Sequence, residues 1–519
     1  MQSTGAAATE QPHSGNKPKT PQYSALFITI SLAILTAAGT FARFYGISVR
    51  AMYDEAASWN IARLPWRSFW QALWDFEANM GLYYLILRPW LHLGNSEVVV
   101  RGLSVLFGVA TIPVLYLVGS RLFSQRVGLM AAALLAVHAF HIRWSQEARS
   151  YALLVLLLTW STLLLVSALQ GERARGRWAG YIVLSALACY CHLFAVFVIA
   201  AQWLWIIVKR FPDIRSRIPG LICQVVLIAP AGLYAAFRNQ GQLDWIQPLS
   251  ARDLVELCRS WVGSAPGGYG MALLFCLYGL LCALGIVTGL GSGSRSRRLD
   301  TALPVLWAVV PSGAIILGSI VKPILVDRYL LPCLPALLLL VSLGIDFLLS
   351  RGRVWMWVGV STTVAVLALN VHGSAMRYWE AKRVTNSNGL RGMSRYVLSH
   401  QEPGDAAIFF NAEPHLSFKY YAALAGATQT PKIVIPDYHG AITAAQDFPS
   451  QEEIRAAAAP FPRVWLILNE FTIQHDWLAR NPMFHARDPN FHNALAANFK
   501  LDSQYKVGWF EISLYTRRK

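Results

Sequence analysis

Long apolar runs separated by short basic clusters fill the first 372 residues. A helix needs about 20 apolar residues to cross about 30 Å of hydrocarbon. Ser24 to Ala42 is uncharged and apolar in character, and no small-residue cleavage site follows it. It therefore predicts a retained first span rather than a removed signal peptide. The residues before it, with Gly15, Lys17, Pro18 and Lys19, predict a disordered cytoplasmic tail over 1–23. Further runs near 100–120, 127–141, 150–169, 178–192, 194–209, 218–237, 268–290, 302–320, 328–350 and 354–371 bring the expected number of spans to about 11.

Charge placement gives an independent reading of orientation. With the N-terminus inside, the inner loops hold Arg121, Arg126, Arg173, Arg175, Arg177, Lys209, Arg210, Arg215, Arg217, Arg295, Arg297, Arg298, Arg351 and Arg353. Every second connection is thus basic, as the positive-inside rule requires. An odd number of spans then places everything after about residue 372 outside.

Two outer segments are too long to be simple connectors. In the first, 45–99, Pro65 can open a helix on which Trp66, Phe69, Trp70, Leu73 and Trp74 recur at i, i+3, i+4, i+7, i+8. Such a stripe predicts a helix lying flat at the lipid interface or packed on the bundle; either reading holds it at the outer surface. The second, 373–519, alternates helical stretches (388–400, 415–425, 451–459, 490–499) with strands (407–412, 432–437, 463–468 and a last one near 506–515). That alternation predicts an extracytoplasmic α/β domain. No glycine fingerprint follows any of its strands, so no nucleotide site is assigned. The fold expected is a polytopic α-helical membrane protein, with a transmembrane domain over 24–372 and the C-terminal domain beyond it.

Composition agrees with this partition. Of the 519 residues, 55% are hydrophobic and 14% charged, and the mean hydropathy is +0.40. Those values exclude a disordered chain and an ordinary soluble enzyme. A net charge of +17 raises nucleic acid as a partner. The basic residues sit in short clusters between apolar runs, however, which is the wrong pattern for a nucleic-acid face. Seven cysteines form no CxxC pair, so neither a zinc site nor a disulfide framework is expected.

The ionisable residues on the outer side carry the chemical information. YDEAASW (53–59) follows the first span and holds the adjacent carboxylates Asp54 and Glu55. SQEARSYAL (145–153) holds Glu147, Arg149 and Tyr151. His192 ends the fifth span, and Lys322, Asp327 and Arg328 precede the tenth. Charges this close to lipid cost up to about 3 kcal/mol each on insertion scales, so they usually have a partner or a task. Bland roles exist for each: Asp54 as a helix N-cap, Glu147 with Arg149 as a turn-closing ion pair, His192 as a packed histidine, Arg328 as a snorkelling anchor. Together they fit a different task. A carboxylate can act as general base, while Arg and Lys bind phosphate, Arg through a bidentate fork. A lipid phosphate is the ligand whose anchor lies at that depth.

At these residues the chain resembles a known family. YDEAASW, GLYYLILRPW (81–90), RGLSVLFG (101–108), SQEARSYAL, CYCHLFA (189–195) and DRYLLPCLP (327–335) resemble the membrane glycosyltransferases of superfamily C (GT-C). The resemblance is to the bacterial dolichyl-phosphate-mannose–protein mannosyltransferase-like branch, related to the lipid A aminoarabinose transferase, and it covers roughly 24–372. It implies a polyprenyl-phosphate sugar donor used on the extracytoplasmic face of a bacterial inner membrane. By that analogy Asp54 is the base on the acceptor, and Glu55 orients acceptor or donor. Arg328, with Lys322 or Arg149, holds the departing phosphate; Glu147, Tyr151, Tyr83, Tyr84 and His192 shape the acceptor pocket. Relatives often carry a proline-rich segment before the Leu-Tyr-Tyr, where this chain has Asn79, Met80 and Gly81. No cofactor is required by this reading; a divalent metal stays open, as do the sugar and a lipid, glycan or protein acceptor. The alternative is a transporter or flippase of a lipid-linked or anionic solute, which would place ionisable residues near mid-membrane.

Overall fold

A computed structural model describes residues 23–171, 174–238, 243, 246–264, 270–409, 412–435, 449–469 and 488–518. The predicted tail, apart from Tyr23, lies outside the described residues. The membrane part begins with α1 (Ala25–Phe44), whose first turn is closed by Ser24 Oγ accepting from the Phe27 amide at 3.2 Å. The first outer segment then holds α2 (Asp54–Arg63), α3 (Trp66–Ala72) and α4 (Gly81–Trp90). The bundle continues with α5 (Glu97–Leu122), α6 (Gln125–Val137), α7 (Ala139–Ser145), α8 (Tyr151–Gln170), α9 (Ala174–Cys191), α10 (Ala195–Arg210) and α11 (Ile218–Arg238). After α12 (Ala251–Trp261) come α13 (Met271–Leu290), α14 (Arg295–Val321), α15 (Leu334–Leu349) and α16 (Arg353–Asn388).

Every predicted span coincides with a helix. Among the described residues, 8 helices are long and apolar enough to cross a membrane, or 9 if α6 and α7, bent by 60° at His138, count as one broken span. The helices at the predicted spans 178–192 and 194–209 fall short of that measure. Arg175 and Arg177 sit in the first turn of α9, and α10 has 16 residues. Burial sorts the bundle: the apolar windows of α8 and of the stretch containing α15 are 83% and 89% buried, against 11% for α1 and 17% for α16. The two central helices therefore build the core, and α1 and α16 turn most of their apolar surface outward. Side chains such as Leu26, Ile34 and Phe41 are exposed apolar surface that only lipid would cover. Where α13 meets α15, a methyl group on Gly285 or Gly344 would run into the backbone carbonyl of Leu340 or Leu281, so glycine sets that close approach.

The tryptophan stripe spans α3 and the π-helical turn Leu73–Glu77 that follows it. Phe69 is buried and Leu73 nearly so, while Trp66, Trp70 and Trp74 are each more than half exposed. Trp66 and Trp70 stack at 6.2 Å.

The C-terminal domain comprises α17 (Leu390–His400), β1 (Ala406–Phe409), α18 (Ala412–Leu424), β2 (Lys432–Ile435), α19 (Gln451–Ala458), β3 (Arg463–Asn469), α20 (Asp488–Ala496), β4 (Phe499–Val507) and β5 (Phe510–Arg517). The sheet order is β2-β1-β3-β5-β4, with β1 parallel to β2 and β3, and β5 antiparallel to β3 and β4. The α/β pattern holds, with one correction. The single last strand near 506–515 is two strands joined by a tight turn at Gly508, where φ is +58°. β4 is an edge strand whose middle residues, Lys500 to Lys506, are all exposed. It therefore carries no buried alternation for a sequence reading to detect. The predicted domain boundary at 372 falls within α16, which runs on as one helix to Asn388.

Candidate active site

The first outer segment places two neighbouring carboxylates in different surroundings. Asp54 is the first residue of α2 after the N-cap Tyr53, so it is not itself the cap. Acidic side chains in a first turn are favoured by the helix dipole, and successive residues on a helix point about 100° apart. Glu55 is buried and held by both oxygens: Arg101 Nε and Nη2 donate at 2.6 and 2.7 Å, and the Ala148 amide donates at 3.2 Å. Arg101 also donates to the carbonyls of Ile47 and Arg50 at 2.6 and 3.0 Å. Both Glu55 oxygens accept from the protein, which fastens the 47–55 segment to α5. Asp54 stays half-buried, within electrostatic reach of Arg149, Arg328 and Tyr151.

Those cations come from two further connections. Arg328 lies in a 3₁₀ turn, Asp327–Cys333, which is anchored when Asp327 accepts from Ser260 Oγ at 2.8 Å and from the Arg328 amide at 2.7 Å. The Arg328 guanidinium donates to the Tyr151 hydroxyl at 3.0 Å and lies 5.5 Å from the Trp144 ring centre. Arg149 donates to the Tyr84 hydroxyl at 3.2 Å, and Tyr84 donates to Glu77 at 3.1 Å. Arg149 Nε is buried without a hydrogen-bond partner among the described residues. Burial works against its charge, but the surrounding Tyr84, Glu77, Tyr151 and Asp54 hold it firmly cationic.

Glu147 is buried beside this group and paired with Arg143 one helical turn before it, not with Arg149. Burial pushes its carboxyl up, but Arg143, then Arg50 and Arg328, outweigh that and hold it below the usual carboxylate range. His192 follows α9 directly and stacks against Tyr329 at 4.7 Å, with Tyr151 at 6.3 Å. Its Nδ1 accepts from the Phe194 amide at 3.3 Å, while its buried Nε2 has no partner among the described residues. Asn79 accepts from the Leu193 amide at 2.9 Å, so a residue at the sequence departure pins the His192 turn.

Two other expected residues stand apart from this chemistry. Tyr83 is fully buried, with its hydroxyl 2.8 Å from Ser104 Oγ. Lys322 is exposed at the end of α14, and none of the contacts given above involves it. Among the described residues, no group of three or more His, Cys, Asp or Glu side chains is spaced to hold a metal.

The sequence reading missed Arg101, Arg143, Arg50 and Glu77. Arg101 and Glu97 are four residues apart at the start of an otherwise apolar span, a detectable sign of a buried ion pair. Glu77 gives no such sign, since it ends an irregular stretch and reaches Tyr84 only through the fold.

The architecture has solved counterparts. It is similar to ArnT from Cupriavidus metallidurans bound to undecaprenyl phosphate, with a TM-score of 0.62 at 12% identity, covering 95% of this chain and 98% of that one. The likeness is one of fold. The architecture is also similar to the archaeal oligosaccharyltransferase AglB from Archaeoglobus fulgidus in complex with an inhibitory peptide and a dolichol-phosphate, with a TM-score of 0.57 at 10% identity over 95% of this chain and 74% of that one. The family model for dolichyl-phosphate-mannose-protein mannosyltransferases matches residues 82–234. That stretch contains Tyr84, Arg101, Glu147, Arg149 and His192, and lies between Asp54 and Arg328. No curated protein matches the chain by sequence.

Proposed function

We propose that this protein transfers a sugar from a polyprenyl-phosphate donor to an acceptor on the extracytoplasmic face of a bacterial inner membrane, with inversion. The observation that carries the reading is the convergence of Asp54, Arg149 and Arg328, from three separate connections, on one half-buried site. The lipid phosphate bound by a protein of the same fold supports the choice of donor. Arg328 and Arg149 hold the donor phosphate, their side chains set by the Tyr151 and Tyr84 hydroxyls. Asp54 takes the proton from an acceptor hydroxyl or amine. The acceptor atom bonds to the anomeric carbon as the carbon–oxygen bond to phosphate breaks, and that electron pair leaves on the phosphate. The products are the glycosylated acceptor and polyprenyl phosphate. A general base contributes roughly 10²–10⁴-fold, and fixed cations beside the developing phosphate charge contribute comparably. The N-terminus lies inside, and the C-terminal domain outside, above the site.

The test is donor turnover in membranes from an expressing strain, using radiolabelled undecaprenyl-phosphate sugars, with wild type beside Asp54→Asn at equal protein level. The expected result is turnover of one donor by wild type and its loss in the variant. Equal turnover by both would remove Asp54 as the base. Turnover of no donor by wild type would sink the glycosyl-transfer reading.

A further inference from the structure

The segment that carries Asp54 is held from both sides, and one of the two holds belongs to the C-terminal domain. Met52, two residues before Asp54 and fully buried, has both backbone polar groups bonded to α18: its amide donates to the Tyr421 hydroxyl at 2.9 Å, and its carbonyl accepts from Ser417 Oγ at 2.7 Å. The Tyr421 hydroxyl accepts that bond and donates its own proton to Glu97 at 3.0 Å. Glu97 in turn pairs with Arg391 of α17 at 2.6 Å, and Arg391 also donates to the carbonyls of Ser48 and Arg50 at 2.6 and 2.9 Å. Arg101 lies 3.6 Å from Glu97 and grips Glu55. Asp54 is therefore bracketed by Met52, fixed to α18, and Glu55, fixed to Arg101. Between them runs an unbroken chain of bonds through Tyr421, Glu97 and Arg101.

We propose that Ser417, Tyr421 and Arg391 of the C-terminal domain are positioning residues for Asp54. The inference rests on Asp54 being the base. Buried peptide groups stripped of a partner are destabilised, because neither water nor protein then satisfies them. Without α18, the Met52 amide and carbonyl would thus be driven toward other conformations, and Asp54 would move with them. Because a 1 Å displacement at a reacting centre costs up to about 10²-fold, such a shift acts on the chemical step rather than on donor binding. The domain is in this sense part of the active site without touching the reacting atoms.

The adjacent Tyr420 supplies the control. It is on the same helix, also buried, and its hydroxyl donates at 2.8 Å to the Asn95 carbonyl, outside the Asp54 segment. Full-length wild type, Tyr421→Phe, Ser417→Ala and Tyr420→Phe would be compared by two readouts. The first is kcat and KM with the donor that wild type turns over. The second is amide hydrogen exchange of the peptide spanning 47–58, with undecaprenyl phosphate binding measured on the same samples. The expected result is a kcat loss of roughly ten- to hundredfold in Tyr421→Phe and Ser417→Ala. Donor KM and undecaprenyl phosphate binding should be unchanged, and exchange at 47–58 faster. Tyr420→Phe should keep its kcat and its protection at 47–58. Equal kcat losses in Tyr420→Phe and Tyr421→Phe, or unchanged exchange at 47–58, would overturn the proposal. Wild type that turns over no donor would instead sink the glycosyl-transfer reading, and the exchange readout would then decide the clamp on its own.

Discussion

Cations at the two ends of the helix bundle are set in different ways. At one end, Arg126 and Lys209 each meet a carboxylate: Arg126 Nε lies 2.6 Å from Asp346, and Lys209 Nζ lies 2.5 Å from Asp300. These are closed pairs that tie distant helices together, 220 and 91 residues apart in sequence. At the other end, Arg328 and Arg149 donate to tyrosine hydroxyls, which orient a guanidinium without cancelling its charge. A closed pair has little left to offer a ligand. Arg149 and Arg328 lie among tyrosines and carboxylates, with Asp54 near both, and a charge in a poorly solvated place acts on its neighbours more strongly than in water. On the proposed reading, these are the charges that meet the donor phosphate.

The same contrast is repeated between Asp54 and Glu55, and there it can be broken most sharply. Asp54→Asn should reduce donor turnover by roughly 10²–10⁴-fold and leave the thermal midpoint unchanged. Glu55→Gln should do the reverse first. It removes the charge of the bidentate partner and leaves Arg101 with only Glu97, 3.6 Å away, a loss of up to about 3–5 kcal/mol in stability. Thermal unfolding of both variants beside their turnover checks this. If Glu55→Gln kept its midpoint while losing turnover, Glu55 would belong to the chemistry and not to the scaffold.

Between the two ends, the expected effects are again opposite. Arg328→Ala should lower turnover by roughly 10²–10³-fold and weaken undecaprenyl phosphate binding with little change in stability. Arg126→Ala should leave binding untouched and cost about 1–3 kcal/mol, because Asp346 is left buried without its charge partner. Binding measured by quenching of the exposed tryptophans, beside thermal unfolding, separates the two. Loss of binding in Arg126→Ala would mean that the closed pairs also serve the ligand.

The bundle was readable because lipid imposes long apolar runs and loop charges, and both are one-dimensional signals. All eleven predicted runs coincide with helices for that reason, while the kink at His138 and the short helix α10 blur where one crossing ends. The roles of the site residues were less readable than their identities. Asp54, Glu55, Glu147, Arg149 and Arg328 could be picked out as charges at a membrane boundary. Which of them are paired and which only oriented depends on partners far away in sequence: Arg101 pairs Glu55 across 46 residues, and Tyr151 orients Arg328 across 177. The bland alternative of a Glu147–Arg149 pair is not what the fold holds, for a local reason. The helix preceding Glu147 brings Arg143, four residues back, onto the same face, and Arg149 is drawn instead to Tyr84. The bonds from Ser417 and Tyr421 to Met52 span more than 360 residues, and no local pattern announces them.

Glu147 offers the smallest effect and tests the contrast from the scaffold side. Its carboxyl is held below the usual range because Arg143, Arg50 and Arg328 outweigh burial. A group whose folded pKa is depressed stabilises the fold above its unfolded value and loses that contribution as pH falls through the folded one. Wild-type stability should therefore decline on acidification through the carboxylate range, and Glu147→Gln should start lower at pH 7 yet decline less steeply there. Thermal midpoints at closely spaced pH values between about 7 and 3 decide it. Parallel curves for the two proteins would mean that Glu147 does not titrate with folding. Its pairing with Arg143 would then belong with the uncompensated charges of the site rather than with the closed pairs at the far end.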